Sequence, residues 1–179
     1  MQNAVGSHSK FGRRAIYCLL VPAYCLLFNP TYAQEEKPRW LLGAGLTYDN
    51  YMNKPGVNLN VTYRVIGNFH IGPDFSALLN KEDKENGVTV LKKELEYNFN
   101  ATQLFELNKV IAIYPLAGIN FSKVTTHPVN SEPVKKVVTA LNVGGGVELE
   151  LKSFKLFFES KYVSQLDKYD FTLGALFRL

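Results

Sequence analysis

The last eleven residues, Tyr169 to Leu179 (YDFTLGALFRL), constrain the fold more than any other stretch. Tyr169, Phe171, Leu173, Ala175, Phe177 and Leu179 form one apolar set, and Asp170, Thr172, Gly174, Leu176 and Arg178 alternate with them. A period of two places the sets on opposite faces of a strand. Eleven residues is also about the length a tilted strand needs to cross a bilayer. A strand ending a sheet must find two neighbours or remain an open edge, and a closed barrel supplies both.

The same alternation recurs upstream. Strands are expected over Trp40 to Tyr48, Val57 to Val65, Phe69 to Leu79, Val88 to Thr102, Val110 to Phe121, Val137 to Leu151 and Phe154 to Val163, giving eight with the last. In Val110 to Phe121 both parities are largely apolar, so its faces stay open. Pro73 and Pro115 fall inside predicted strands, where a missing N–H implies a bulge or a strand end. Three predicted loops, Asp49 to Gly56, Lys81 to Gly87 (KEDKENG) and Ser122 to Lys135, alternate with tight connections, and Ser164 to Lys168 leads into the final strand. Short turns at one rim and longer loops at the other are the habit of a transmembrane barrel. With 12 Phe and 10 Tyr against 2 Met, the composition also favours strands.

Residues 1–33 read as a cleavable signal peptide. Lys10, Arg13 and Arg14 precede an apolar run from Ala15 to Phe28, followed by Asn29, Pro30 and a small-residue site ending at Ala33. The run is shorter than the roughly twenty residues of a spanning helix. Both cysteines, Cys18 and Cys25, lie in this leader, so the mature domain, residues 34–179, is expected to have neither disulfides nor thiolate metal sites. Three positive charges of the net +4 also lie there, which leaves a nearly neutral domain with no footprint for nucleic acid.

Alternation alone does not say which face is inside. A soluble exported barrel would turn Leu59, Val61, Tyr97 and Phe171 inward around an apolar ligand; a membrane barrel turns them toward lipid. Aromatic placement favours the membrane. With up-and-down strands, Trp40, Tyr63, Phe69, Phe99, Phe154 and Phe177 fall near one rim, and Tyr48, Phe121, Tyr162 and Tyr169 near the other. The opposite parity then forms a polar lumen of Arg64, His70, Asp74, Glu94, Glu96, Glu148, Glu150, Glu159, Lys161, Asp170 and Arg178. Eight strands leave room for packed side chains and not for a pore. The fold class is therefore all-β, an eight-stranded antiparallel up-and-down transmembrane β-barrel preceded by a cleavable signal peptide.

With the strands placed, the chain resembles the eight-stranded outer-membrane β-barrel proteins, the OmpA/OmpX-like and PorT-like group. The resemblance spans the predicted mature domain and is sharpest in the closing strand. There Thr172, Gly174, Phe177 and Leu179 match the family's terminal assembly signal, although the family usually ends in an aromatic residue. The segment Tyr114-Pro115-Leu116-Ala117-Gly118-Ile119-Asn120 is also similar to one common in the group. The resemblance implies an outer-membrane location, recognition by the barrel-assembly machinery, contact with outer-membrane lipid, and a surface or secretion-system protein partner.

Chemistry is sparse. A lipid A deacylase-like enzyme needs a His close to a Ser, yet Ser76 lies six residues from His70, about 20 Å along a strand. The Glu94/Glu96 and Glu148/Glu150 pairs are read as members of interior salt bridges. Gly144-Gly145-Gly146 lacks the helix and lysine of a phosphate loop, and implies close approach within a crowded wall. The expectation is a non-enzymatic protein without cofactor or metal, having a structural, surface-interaction or envelope-accessory role carried by its external loops.

Overall fold

The computed structural model describes residues 39–85, 88–128 and 132–179, with backbone alone at 84, 85 and 88. The predicted leader and its cleavage after Ala33 lie outside the described residues. Ten strand segments and no helix occur among the described residues. They are β1 (Trp40–Asp49), β2 (Lys54–Ile66), β3 (Phe69–Leu78), β4 (Lys81–Glu85), β5 (Val88–Gln103), β6 (Phe105–Glu106), β7 (Ile111–Pro128), β8 (Val134–Glu150), β9 (Phe154–Val163) and β10 (Lys168–Arg178).

Eight of these form the wall, in the order β1-β2-β3-β5-β7-β8-β9-β10, every pair antiparallel. The ring closes where β10 pairs with β1, from Leu41 opposite Arg178 to Asp49 opposite Asp170. Closure leaves no edge within the wall, the condition a sheet must meet in hydrocarbon. The short segments are continuations: β4 carries the β3 position onward beside β5, and β6 carries the β5 position onward beside β7.

The two prolines mark gaps in the ladders. Between β2 and β3 the pairing skips from Asn60–Asp74 to Tyr63–Ile71, at the level of Pro73. Between β5 and β7 it stops at Thr102–Leu116 and resumes at Phe105–Ile113, opposite Pro115. Each gap falls where the missing N–H cannot bond. The bulge itself lies elsewhere, between Arg64 and Ile66 opposite Phe69.

The apolar parity faces outward. Leu59 is 54% exposed, Tyr97 50% and Phe171 38%, which removes the soluble barrel with an apolar cavity. Trp40–Tyr63 (4.6 Å) and Phe154–Phe177 (6.0 Å) make aromatic contacts near the rim holding the chain's first and last strand ends. Tyr162–Tyr169 and Phe75–Tyr97, both 5.1 Å between ring centroids, lie toward the opposite rim. Paired aromatic belts flanking an aliphatic band match the two interfaces of a bilayer. In β7 the open question resolves: Ala112, Tyr114, Leu116, Asn120 and Ser122 face inward and are buried, while Ile113, Ile119 and Phe121 face out.

The predicted loops require correction. Lys81–Glu85 is a strand paired with Val88–Lys92, and most of Ser122 to Lys135 is a hairpin in which β7 and β8 stay paired out to Thr126–Val134. Polar residues with water on both faces lack apolar alternation, so periodicity could not reveal them. The rim asymmetry is therefore carried by strand extension: β4, β5, β7 and β8 rise past the closed ring as a four-stranded ledge. Pairing of β8 with β9 begins only at Asn142–Val163, so the outer edge of β8 from Val134 to Ala140 has no strand partner among the described residues.

Candidate functional site

The inward parity builds a layered, filled lumen. Toward the rim of the short turns, Leu104, Ala112, Tyr114 and Leu116 form one apolar cluster, and Leu41, Phe157 and Leu176 another. The glycine run makes the first possible. A Cβ on Gly146 would stand 2.5 Å from the Tyr114 ring and 2.6 Å from the Phe158 carbonyl oxygen. With no side chain there, the ring lies flush on β8 and its hydroxyl donates to Glu159 at 3.1 Å.

At mid-height the layer is polar. Lys161 on β9 reaches Asp74 on β3 at 2.8 Å, with Glu159 at 3.4 Å. Asn98 and Asn100 donate to Asp74 at 2.7 Å each, and Asn142 donates to both asparagines' oxygens at 3.0 Å. Gly118 leaves space for this lattice, because a Cβ there would meet Asn100 Oδ1 at 2.3 Å. Asn120 joins through Asn98 at 2.8 Å, and Ser122 donates to Asn120 at 2.8 Å.

Toward the ledge rim, Lys168 is the hub. Its Nζ, fully buried, donates to Asp49 Oδ2 at 2.5 Å, to Glu94 Oε1 at 2.9 Å and to Glu96 Oε1, with Asp170 at 3.6 Å. The carboxylate oxygens of Asp49, Glu94 and Glu96 lie within 4.8 Å of one another, a spacing that would suit a cation. The Lys168 ammonium already occupies that position, so the chain supplies the counter-charge itself. Over the cluster the β1–β2 turn folds inward. Buried Met52 donates its N–H to Asp49 Oδ1 at 2.7 Å. Asn50 donates its N–H to the Tyr169 carbonyl at 3.1 Å, and its Oδ1 accepts from the Tyr169 N–H at 2.8 Å.

Most sequence-selected lumen residues fall into these layers. Asp74, Glu159 and Lys161 share the middle one, and Glu94, Glu96 and Asp170 the upper one. Glu148 and Glu150 meet Lys155 at 2.8 and 3.4 Å near the short-turn rim, and Arg178 reaches Glu150 there. Arg64 and His70 stand opposite each other on β2 and β3. His70 lines a small cavity with Asn60, Thr62, Thr102, Tyr114 and Glu148, and no serine or cysteine is among the lining residues. In the terminal motif, Thr172 is buried and donates to Thr47 at 3.1 Å, while Phe177 and Leu179 face outward.

The hub itself escaped sequence reasoning, which left Lys168 and Asp49 in connecting loops. Their parity was the available signal. Lys168 continues the series Asp170, Thr172 and Gly174, and Asp49 continues Leu41, Gly43, Gly45 and Thr47.

A closed ring with aliphatic residues outside and ion pairs inside defines a transmembrane β-barrel with a plugged lumen. A family model described as outer membrane protein beta-barrel domain matches residues 19–176. The chain belongs to that family, and is an outer-membrane protein. Among solved structures it is similar to Ail of Yersinia pestis in complex with the heparin analogue sucrose octasulfate. That match has TM-score 0.61 and 19% identity, covering 80% of this chain and 99% of Ail. Neisserial surface protein A matches with TM-score 0.59 and 14% identity, over 81% of this chain and 99% of that one. The N-terminal barrel of Pseudomonas aeruginosa OprF matches with TM-score 0.58 and 14% identity, over 80% and 100%. Comparison with curated protein sequences gives no match.

Proposed function

We propose that the mature domain is a non-enzymatic surface protein of the outer membrane whose ledge recognises a protein partner. The observation that carries this reading is the free β8 edge. Val134 and Val137 along it are 63% and 66% exposed, and its backbone groups from Val134 to Ala140 have no neighbouring strand among the described residues. Such an edge is a template for strand addition. The other free edge, β4, reads KEDKE, and charge of that density blunts pairing. The two edges are thus unequal, and β8 is the one open to a partner.

The non-enzymatic reading rests on where His70 lies. It faces the lumen, away from the lipid that a deacylase would attack, in a cavity with no serine or cysteine among its lining residues. Export is read from the leader, removed after Ala33. Assembly is read from Thr172, Gly174, Phe177 and Leu179, which the barrel-assembly machinery would recognise; deleting Phe177 to Leu179 should leave no folded barrel in the outer membrane.

A photo-crosslinking side chain at position 137, introduced in living cells, tests the recognition role. A discrete heavier adduct that disappears when Thr139→Pro removes an N–H directed to the free edge is the expected result. An unchanged band pattern, with wild-type amounts of folded barrel, would overturn it.

A further inference from the structure

The outward face of the ledge carries three lysines against one carboxylate, Glu82 on β4, which shares the face of its partner Leu91 and forms no ion pair with them among the described residues. Lys93 on β5, Thr125 on β7 and Lys135 on β8 lie in one row across three strands, since Thr125 pairs with both lysines. Lys123 lies one same-face step below Thr125. At a strand spacing of about 4.8 Å the flanking lysines are roughly 10 Å apart along the row, with Lys123 about 7 Å beneath its centre. All three are exposed, and none forms an ion pair among the described residues. On the inward face Lys92 is bonded to Asp83 at 3.2 Å, and Lys136 stands exposed without an ion pair among the described residues.

Their height identifies the anion that would meet them. The three lysines share the parity of Tyr97, Phe121 and Leu141, so they stand directly above lipid-facing side chains. Lys123 is two residues, about 7 Å, beyond Phe121 of the interfacial belt. That is the level at which polar headgroups begin. On the opposite wall the outward residues at comparable strand ends are Tyr48, Tyr162 and Tyr169, with no cation among them.

We infer that Lys93, Lys123 and Lys135 form a docking site for the phosphate groups of an outer-leaflet glycolipid, clamping the ledge to the membrane surface. The inference rests on the ledge being external, as in the proposed function. It extends that reading by giving the ledge's outward face a lipid ligand, separate from the β8 edge.

The test compares protein refolded in phosphatidylcholine vesicles with and without bisphosphorylated lipid A. It measures the lipid A retained per protein and the temperature at which the folded band is lost. Wild type should retain lipid A and gain thermal resistance from it. The triple variant K93Q/K123Q/K135Q should lose retention on the order of 100-fold, at about fivefold for each lysine near an anionic surface. Lys136→Gln, on the ledge's other face, should behave as wild type. Equal retention by the triple variant, equal retention of dephosphorylated lipid A, or an equal loss in Lys136→Gln would each overturn the site. A response to heparin or inorganic phosphate without one to lipid A would overturn it in favour of a soluble polyanion. A Glu132→Cys variant, exposed at the end of the ledge beyond the lysine row, probed on intact cells with an impermeant maleimide separates the two readings. Absence of labelling would overturn the external ledge, whereas labelling without lipid A retention would overturn the phosphate site alone.

Discussion

Lys168 Nζ bonds Glu94 Oε1 at 2.9 Å from the diametrically opposite wall of the barrel, four strands away in either direction around the ring. Lys161 and Asp74, on β9 and β3, are related in the same way at 2.8 Å. Two lysines thus brace the lumen across its diameter at different heights. Between strands that are already hydrogen-bonded to their neighbours, these braces add a constraint the ladders cannot supply: they fix the cross-section and fill it.

Removing the upper brace should be costly. Lys168→Met leaves Asp49, Glu94 and Glu96 buried without their ammonium, and breaking a buried pair from one side typically costs about 3–5 kcal/mol. A urea titration of the vesicle-embedded barrel should show that loss. Because the three carboxylates are spaced for a cation, millimolar Ca²⁺ should restore part of the stability in the variant and leave wild type unchanged. A variant as stable as wild type without added cation would contradict the role given to Lys168.

Gly146→Ala tests the seat of Tyr114. The added methyl would meet the ring at 2.5 Å and the Phe158 carbonyl at 2.6 Å, so the ring or the strand must move. Overpacking of this kind costs about 1–3 kcal/mol. The loss of the folded band should occur at lower temperature, and an unchanged midpoint would show that the lumen is looser than the packing implies.

Leu173, 60% exposed at the middle of β10, tests which medium surrounds the barrel. In lipid, Leu173→Arg should cost about 2–4 kcal/mol, the midplane penalty for a cation on the outer face of a barrel. Against water, a surface change of this kind would stay within about 0.5 kcal/mol. Equilibrium unfolding from vesicles distinguishes the two.

The wall strands and their faces were legible because the bilayer and the lumen impose opposite chemistry on alternate residues. The closing strand is the clearest case: Phe171, Leu173 and Phe177 face out, and Asp170 and Thr172 are buried. Legibility failed where that contrast disappears. In β7 the lumen is lined by Ala112, Tyr114 and Leu116, so both parities look apolar. In the ledge both faces meet water, so SKVTTHP and KEDKE read as loops although their backbones are paired. Lys168 and Asp49 failed for another reason. A charged residue at a strand end resembles a loop residue unless its parity is followed one step further, and the partners that bury them come from β5, about 45 to 75 residues away in sequence.

The most direct measurement is a gel of the fractionated mature protein, run with and without boiling. A closed barrel with its aliphatic face in lipid should appear in the detergent-extracted outer membrane, as a band whose mobility shifts when boiling opens the β1–β10 seam. A soluble periplasmic protein, with one mobility before and after heating, would contradict the account.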